Sequence, residues 1–328
     1  MADTPTEGGR LPQHKVIAFG QNVTFVGQQK QNRLVGAVQA QMGYAEKGDR
    51  YTLEGFGLSD PVEIYDDFGD TPDGDQIDKH RRVGMFKTYE DTKKVGKIEQ
   101  AETLIDPANP TVMAMGWGME RRRDQTILKG MVGKVAYYDK EGDIAYSALP
   151  NSQKIAHNFN KLTKGAADGD AAPASAVVGL SWPKLRQMKI IHGRSDRERT
   201  GPIHIACTEE DIEFLRTSAE FSAERHVING ISRVADGETA QFGSYFFHIM
   251  PEKQLKADFL VGGAANRWFI PTWNPAVIHY KERPLVNMKV WERDEKRHRW
   301  YARYENQDSC VREYDDGVVL IEVQREAA

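Results

Sequence analysis

A long stretch near the N-terminus, Gln41 to Lys87, lacks the apolar residues needed for a core of its own. It holds two short alternating runs, 51–53 and 62–65, around a turn-rich centre, and an acidic, glycine-containing segment follows. An isolated two-stranded hairpin is marginal in water, and a long connection without a core is unusual inside a compact domain. We therefore predict a β-ribbon whose apolar side chains pack on another copy of the same protein. Those side chains are Tyr51, Leu53, Phe56, Val62, Ile64, Tyr65 and Phe68.

The composition of the 328 residues is typical of a folded globular chain, with 40% hydrophobic and 28% charged residues. A net charge of −4 argues against a protein whose main task is to bind nucleic acid, because such proteins usually carry a basic excess. No run of apolar residues is long enough for a membrane span, and the polar N-terminus does not have the pattern of a secretory signal. Cys207 and Cys310 are interpreted as reduced thiols, with a disulfide as the alternative.

The strongest helical pattern runs from Thr111 to Val132. Asn109 is the expected N-cap, Pro110 occupies the first helical position, and Gly133 supplies the stop. Arginines 121–123 and Asp124 interrupt its apolar stripe, so we expect one side of the helix to be polar and open to a neighbour.

The remaining elements alternate between helix and strand. A helix capped by Ser181 is predicted through His192, and a capping box of Thr208 and Asp211 begins another. The expected strands are a hairpin at 134–145, a strand at 202–207, a pair at 226–234 and 239–250, and C-terminal strands at 286–291, 299–304 and 318–323. Helices mixed with antiparallel strands predict an α+β fold.

Signatures of catalysis are weak. Asp70, Asp73 and Asp75 resemble a metal-binding loop, but the glycine and the closing glutamate do not fall at the positions that a calcium loop requires. We find no phosphate-binding loop, nucleophile elbow or dinucleotide motif, and therefore predict no cofactor. The arginine run 121–123 suits either a phosphate site or a solvated helix face, and the basic, aromatic segment 291–301 suits either a nucleic-acid surface or a charged hairpin tip.

The order of several short motifs resembles a family of tailed-bacteriophage major capsid proteins with the Hong Kong 97-type shell fold. These motifs, which cover about residues 25–125, are Gln28-Gln29-Lys30, Arg33-Leu34, Ala37-Val38, Asp70-Thr71-Pro72, Arg81-Arg82, Leu104-Ile105-Asp106-Pro107 and Arg123-Asp124. Pro110 departs from the family pattern and leaves the start of the long helix open.

The resemblance implies a division of the chain into five parts. They are an N-terminal arm (1–40), an extended E-loop hairpin (41–87), a peripheral domain (88–199) that contains the long spine helix (109–132), an axial domain (200–275), and C-terminal strands that complete the peripheral domain (276–328).

The implied function is that of a structural protein, not an enzyme, which self-assembles into pentamers and hexamers of an icosahedral phage head around the DNA genome. Expected partners are other copies of the chain, a portal protein, and a scaffolding or decoration protein; packaged DNA is contacted only non-specifically, and no membrane is involved. The expected location is the virion shell, assembled in the bacterial host cytoplasm.

Candidate intersubunit contacts combine the ribbon, the arm and the charged positions. Arg81, Arg82 and arginines 121–123 are expected to pair with the acidic segment (Asp66, Asp67, Asp70, Asp73, Asp75) of a neighbour. The full set is Gln28, Gln29, Lys30, Arg33, Tyr51, Leu53, Phe56, Ile64, Tyr65, Asp70, Arg81, Arg82, Arg121, Arg122, Arg123 and Asp124.

Two alternatives stay open at this point. The same fold can form an encapsulin-like compartment that stores a cargo enzyme. A different class is a metal-dependent sugar or phosphate enzyme that uses Asp73 and Asp75. Lys47 is a further candidate for a covalent cross-link between subunits, as some relatives of this fold form.

Overall fold

The computed structural model describes residues 31–45, 47–57, 79–95, 108–139, 141–161, 170–171, 179–194, 201–217, 239–242, 244–261, 266–293 and 299–324. The α-helices among them are α1 (Ala108–Val132), α2 (Trp182–Gly193), α3 (Glu209–Thr217) and α4 (Glu252–Phe259). Short 3₁₀ turns occur at Val35–Ala37, Asn151–Gln153 and Pro275–Val277. The strands are β1 (Gln39–Gln41), β2 (Arg50–Phe56), β3 (Lys79–Met85), β4 (Lys87–Val95), β5 (Val135–Tyr138), β6 (Ile144–Ser147), β7 (Lys154–Ile155), β8 (Phe159–Lys161), β9 (Asp170–Ala171), β10 (Ile203–Cys207), β11 (Thr239–Phe242), β12 (Tyr245–Ile249), β13 (Arg267–Trp273), β14 (Ile278–Arg293), β15 (Arg299–Arg312) and β16 (Val318–Gln324).

The main core lies on a six-stranded sheet with the order β11-β12-β10-β13-β16-β7. β10 and β16 are nearly continuous runs of buried residues, as expected for strands covered on both faces. Trp268 and Trp273 of β13 are among the largest fully buried side chains, and α2 contributes Leu185, Met188 and Ile191 to the same core.

The second sheet, with the order β1-β14-β15-β4, carries a long hairpin. β14 pairs antiparallel with β15, β15 pairs antiparallel with β4, and β1 adds to β14 in parallel. The predicted strands at 286–291 and 299–304 are confirmed as parts of this hairpin, which extends further than the alternating runs indicated.

Helix α1 packs on β15 and confirms the predicted long helix. Met115, Met119, Ile127, Leu128 and Met131 are buried at helical spacing. The helix ends at Val132, and the amide of Gly133 donates to the Lys129 carbonyl at 2.8 Å. It begins at Ala108, so the expectation that Asn109 is the N-cap was wrong.

A third sheet, with the order β2-β3-β5-β6, forms the ribbon region. β2 pairs in register from Arg50–Met85 to Phe56–Lys79, so its partner is β3 and not the run at 62–65, which lies outside the described residues. β3 was missed because Lys79-His80-Arg81-Arg82 has the composition of a solvated charge run. The hairpin predicted at 134–145 is confirmed as β5 and β6.

Of the remaining predictions, some are confirmed and others are not. The helix that follows Ser181 is confirmed as α2, but the Ser181 side chain makes no capping hydrogen bond. The Thr208–Asp211 capping box is confirmed, since the Thr208 amide donates to Asp211 Oδ2 at 2.9 Å. The segment 239–250 was expected to be one strand, but it forms β11 and β12, which pair with each other. The strand predicted at 226–234 lies outside the described residues. The strands β4 and β13 and the helix α4 were not predicted from the sequence.

The close approach of α1 to β15 depends on Gly130. A β-carbon at this position would lie 2.6 Å from the Cys310 β-carbon, which is far inside van der Waals contact. Gly116 of the same helix has open space, with no heavy atom within 4 Å of the corresponding position.

We predict opposite effects of alanine at these two glycines. Gly130→Ala should lower the free energy of unfolding by about 1–3 kcal/mol because it overpacks the helix–strand contact. Gly116→Ala, the matched control, should raise it by about 0.5–1 kcal/mol because it removes backbone freedom from the unfolded chain. Urea denaturation followed by circular dichroism measures both; equal effects of the two substitutions would contradict the proposed packing.

Candidate assembly site

The N-terminal strap, residues 31–38, is held on α1 by a buried carboxylate. Asp124 is fully buried, and its Oδ1 accepts the backbone N–H groups of Arg33 and Leu34, each at 3.0 Å. Leu34 is itself fully buried in the main core. Ala37 and Val38 of the strap belong to the same core.

Side chains of the strap reach both α1 and the six-stranded sheet. Asn32 donates to Glu120 Oε2 at 2.5 Å, and the Arg33 guanidinium donates to the Ile249 carbonyl at the end of β12. The strap therefore joins the long helix to the sheet.

Arg123 lies in a second buried network, with Glu120 and Glu282. Its Nη2 donates to Glu282 Oε1 at 2.6 Å, and the Tyr280 hydroxyl donates to the other oxygen of the same carboxylate at 3.1 Å. Burial opposes the charge of Arg123, but the hydrogen bond and charge of Glu282 outweigh it and raise the pKa of the guanidinium. Arg123 is thus paired within its own chain.

Arg82 and Arg312 share a carboxylate below the ribbon. Arg82 makes a bidentate pair with Asp315 at 3.1 Å, and Arg312 Nε donates to Asp315 Oδ1 at 2.6 Å. Arg312 is fully buried and donates to the carbonyls of Met131 and Gly133 at 2.9 and 2.5 Å, which satisfies the C-terminus of α1. Burial raises the pKa of Asp315, but its two guanidinium partners overcome this effect and lower it.

Aromatic side chains anchor the base of the ribbon. The ring centroid of Tyr51 lies 6.2 Å from that of Tyr44 and 5.4 Å from that of Phe86. The Lys281 ammonium lies 4.4 Å from the centroids of both tyrosine rings. Tyr51 is only 5% exposed, so its ring is covered within its own chain and needs no neighbouring copy.

The far end of the ribbon is different. Phe56, the last residue of β2, is 58% exposed. Arg81 pairs with Glu54 at 2.9 Å on the open surface, where both side chains remain more than half exposed. Among the predicted apolar contact residues that the structure describes, Phe56 is exposed, Leu53 is partly buried and Tyr51 is buried.

Other predicted contact residues are distributed between surface and interior. Arg122 lies 3.8 Å from the centroid of the Tyr89 ring, and the carbonyl of Arg121 accepts from Gln254 at 3.3 Å. Leu53 is partly buried. Whether these residues contact a second copy stays a prediction. The predicted positions Gln28, Gln29, Lys30, Ile64, Tyr65 and Asp70 lie outside the described residues, as do Asp73 and Asp75.

Two buried polar pairs were not found from the sequence. Lys184 is fully buried and donates to the carbonyls of Gly179 and Glu322, each at 3.0 Å, and burial lowers its pKa to about 7. Nearby Asp211 has its pKa raised by burial to about 6. The apolar residues at helical spacing around Lys184 were a signal that this lysine faces the core.

The second pair consists of two histidines on neighbouring parallel strands. His204 Nδ1 lies 2.8 Å from His248 Nε2, and both rings stack near Trp273. Burial lowers the pKa of His204 to about 4, and burial together with the neighbouring imidazole lowers that of His248 to about 3. The guanidinium of Arg33 also faces this pair.

Among the described residues, no group of three or more histidine, cysteine, aspartate or glutamate side chains is arranged to hold a metal ion. Within the same part of the chain, no helix is long and apolar enough to cross a membrane. Cys207 and Cys310 are free, as predicted, and burial raises the pKa of both thiols.

Several solved phage capsid structures have the same fold. The capsid of Ralstonia phage GP4 is 10% identical with a TM-score of 0.67, and the match covers 99% of both chains. The cyanophage Pam1 capsid subunit is 11% identical with a TM-score of 0.65, covering 93% of this chain and 95% of that one. A mature capsid chain of bacteriophage PhiM1 is 8% identical with a TM-score of 0.59, covering 99% and 100%.

These likenesses define the class of the fold as that of tailed-phage capsid subunits, and the predicted Hong Kong 97-type α+β fold is confirmed. A family model described as phage capsid protein matches residues 11–324. The chain belongs to this family and is a structural protein, the major capsid protein of an icosahedral phage head. A comparison with curated protein sequences gives no significant match.

We predict that Asp124 holds the strap in the folded subunit. Asp124→Ala should lower the free energy of unfolding by about 3 kcal/mol, because two buried N–H groups lose their acceptor. Asp124→Asn keeps one acceptor oxygen, so it should lower the free energy of unfolding by less than Asp124→Ala does. Hydrogen exchange at the amides of Arg33 and Leu34 provides a second measurement; unchanged exchange in Asp124→Ala would contradict this role.

The histidine pair predicts acid sensitivity. Because both pKa values are depressed in the folded state, the unfolded chain binds more protons below its pKa of about 6.5. Stability should therefore be complete above this value and fall as the pH drops through 6.5 toward about 4 and 3, by up to about 1.4 kcal/mol per pH unit for each imidazole.

Burial raises the pKa of Asp211 to about 6 and that of Asp308 to about 7, so these carboxyls have the opposite effect on stability. The stability that they contribute at low pH is lost as the pH rises. A double variant, His204→Phe with His248→Phe, isolates the histidine effect while it keeps aromatic rings in the stack. Urea denaturation at pH 7 and pH 5 should show a smaller loss for the variant than for the native chain; equal losses would rule out the pair as the cause.

Proposed function

We propose that this capsid protein assembles head to tail into pentamers and hexamers, and that the ribbon formed by β2 and β3 lies on the adjacent subunit. The observation that carries this proposal is the asymmetry of the ribbon. Its base is fixed by Tyr44, Tyr51 and Phe86, whereas its far end exposes Phe56. A ribbon that is fixed at its base and exposes an aromatic ring at its far end is typical of a surface that contacts another subunit.

Identical head-to-tail contacts close into rings when the rotation between subunits divides a circle. The strap supports the same interpretation, because the Asp124 contacts hold Arg33 and Leu34 at a defined point on α1, from which an N-terminal arm would start. Contacts made by both arm and ribbon would add avidity, since each subunit then binds several neighbours at once.

The finer assignments form part of the same proposal. Residues 1–40 act as the arm, 41–87 as the E-loop, 88–199 and 276–328 as the peripheral domain with α1 as spine helix, and 200–275 as the axial domain. The six-stranded sheet joins strands of the axial segment to β16 and β7, so these two domains share one core. A portal protein and a scaffolding or decoration protein are the expected partners in the host cytoplasm, and the net charge of −4 suits non-specific contact with the enclosed DNA.

The test is the assembly state of the purified full-length chain. Sedimentation velocity over a range of concentrations, followed by negative-stain electron microscopy, should show rings or closed shells of uniform size. A monomer at every concentration, alone and when coexpressed with its scaffolding protein, would overturn the proposal.

We predict that Phe56→Ser prevents assembly and leaves the subunit folded. Phe56 is exposed, so its loss should change the free energy of unfolding by no more than about 0.5 kcal/mol. Thr52→Ala is the matched control, since Thr52 is exposed on the same strand and the same face. The two variants should denature alike, while only Phe56→Ser fails to form particles under the microscope; particle formation by both would remove Phe56 from the interface.

A further inference from the structure

Strand β4 lies at the outer edge of the second sheet. Within the part of the chain that the structure describes, it is hydrogen-bonded to β15 on one side and to no strand on its other side. The strand is nine residues long, and every second residue of an edge strand directs its N–H and C=O groups away from the sheet. An open edge of this length is a surface on which another chain can add a strand.

The residues at the centre of this edge are accessible. Glu90, Thr92, Lys93 and Lys94 are exposed, and Asp91 is partly exposed. Charged side chains on an edge strand usually prevent unwanted pairing. They prevent it only where the charges of the added strand are not complementary, so the order of the charges decides which strand can bind.

The charges of β4 are complementary to those of the same strand in reverse. Residues 90–94 read Glu-Asp-Thr-Lys-Lys, with two acids and two bases on either side of Thr92. When two copies lie antiparallel about Thr92, Glu90 of each faces Lys94 of the other, and Asp91 of each faces Lys93 of the other. Residues directly opposite one another share a face of the sheet, with β-carbons about 4.5–5.5 Å apart, which is within reach of an ion pair.

Other alignments of the two strands are opposed by the same charges. The adjacent two-fold registers, centred on Asp91 or on Lys93, place two like charges directly opposite each other, and a parallel, in-register alignment does so at every charged position. Like charges directly opposite destabilise a pair of strands. The register centred on Thr92 is therefore the one that the charges select.

Contacts inside the subunit agree with this alignment. Asp91 and Lys93 pair at 3.3 Å and keep 31% and 56% of their side chains exposed, and Glu90 pairs with Arg303 at 3.1 Å while it remains 46% exposed. In the two-fold register, Asp91 and Lys93 of both copies would form an alternating group of four charges, so the internal pair is kept. Because exposed ion pairs contribute little to stability, the backbone hydrogen bonds hold the two strands together and the charges set the register.

We propose that the outer edge of β4 pairs antiparallel with β4 of a second copy of the chain, about a two-fold axis at Thr92. The contact joins two four-stranded sheets into one continuous sheet across the axis. It uses the same surface on both subunits, unlike the head-to-tail contacts that close a ring. A two-fold contact of this kind links one ring to the next; this role rests on the proposed function, whereas the strand pairing itself does not.

A single cysteine tests the axis. Thr92→Cys places the two new thiols on directly opposed residues, whose α-carbons in an antiparallel pair lie about 4.5–5.5 Å apart, a distance that a disulfide spans. After oxidation with diamide at the concentration used for assembly, most of the chain should migrate as a covalent dimer on non-reducing electrophoresis. The native chain, with its free Cys207 and Cys310, gives the background.

Thr88→Cys is the matched control, because Thr88 is exposed on the same strand and the same face. About the proposed axis its two copies lie about eight residues apart, or roughly 26 Å at 3.3 Å per residue, so the yield of dimer should stay at background. Equal yields from Thr92→Cys and Thr88→Cys would indicate random collision and overturn the inference.

Charge variants that also carry Thr92→Cys test the register. Glu90→Lys with Asp91→Lys makes the centre of the strand positive, and Lys93→Glu with Lys94→Glu makes it negative. Each double variant alone should give at least about 10-fold less dimer, because like charges then lie opposite each other. An equimolar mixture of the two should restore the yield as a mixed dimer, which its mass identifies. A mixture that gives no more dimer than its components overturns the inference.

Circular dichroism checks that each variant folds. If Thr92→Cys does not fold, sedimentation velocity of the two charge variants without the cysteine, alone and mixed, replaces the cross-link; a dimer should form in the mixture, and its absence overturns the inference. If Thr92→Cys forms shells without covalent dimers, the inference fails and the proposed function stands, and protection of the thiol from a maleimide in those shells would assign the edge to another segment. If the covalent dimer forms but rings and shells never do, the strand contact stands and the proposed function fails.

Discussion

Buried charged side chains on and beside α1 determine where other segments of the subunit dock. Asp124 lies fully buried in α1, and its carboxylate is compensated by two backbone N–H groups of the strap. Arg312, also fully buried, is compensated by Asp315 and by carbonyls at the C-terminus of α1. A buried charge without its partners is costly, so each one requires the strap or strand that satisfies it to dock at a defined place.

This requirement explains how one helix positions distant segments. The strap enters beside Asp124, β15 delivers Arg312 to the helix end, and the ribbon docks through Arg82 on the same Asp315. The ribbon base and the strap are consequently both attached to α1 and to the strands packed on it. Contacts made by either one with a neighbour would be transmitted to α1 and to the sheet packed on it.

Much of the fold follows from local patterns. The apolar spacing of Met115, Met119, Ile127 and Met131 predicted α1, Gly133 predicted its end, and the alternation at 299–304 predicted part of β15. β3 was not predictable from its residues, because Arg82 is paired with Asp315 and Val83 is buried, and both features depend on segments that are remote in sequence. Lys184, His204 and His248 were missed for a related reason, since their burial depends on packing between elements.

The sequence by itself determined the α+β class, the long helix, the capping box at Thr208 and the presence of a segment between 41 and 87 that has no core. These depend on interactions between residues a few positions apart, which periodicity and capping preferences express. Only the tertiary structure decided which arginines are paired inside the subunit, and that Tyr51 is covered while Phe56 is exposed. The physical reason is that burial and charge compensation are set by groups brought together from remote parts of the chain.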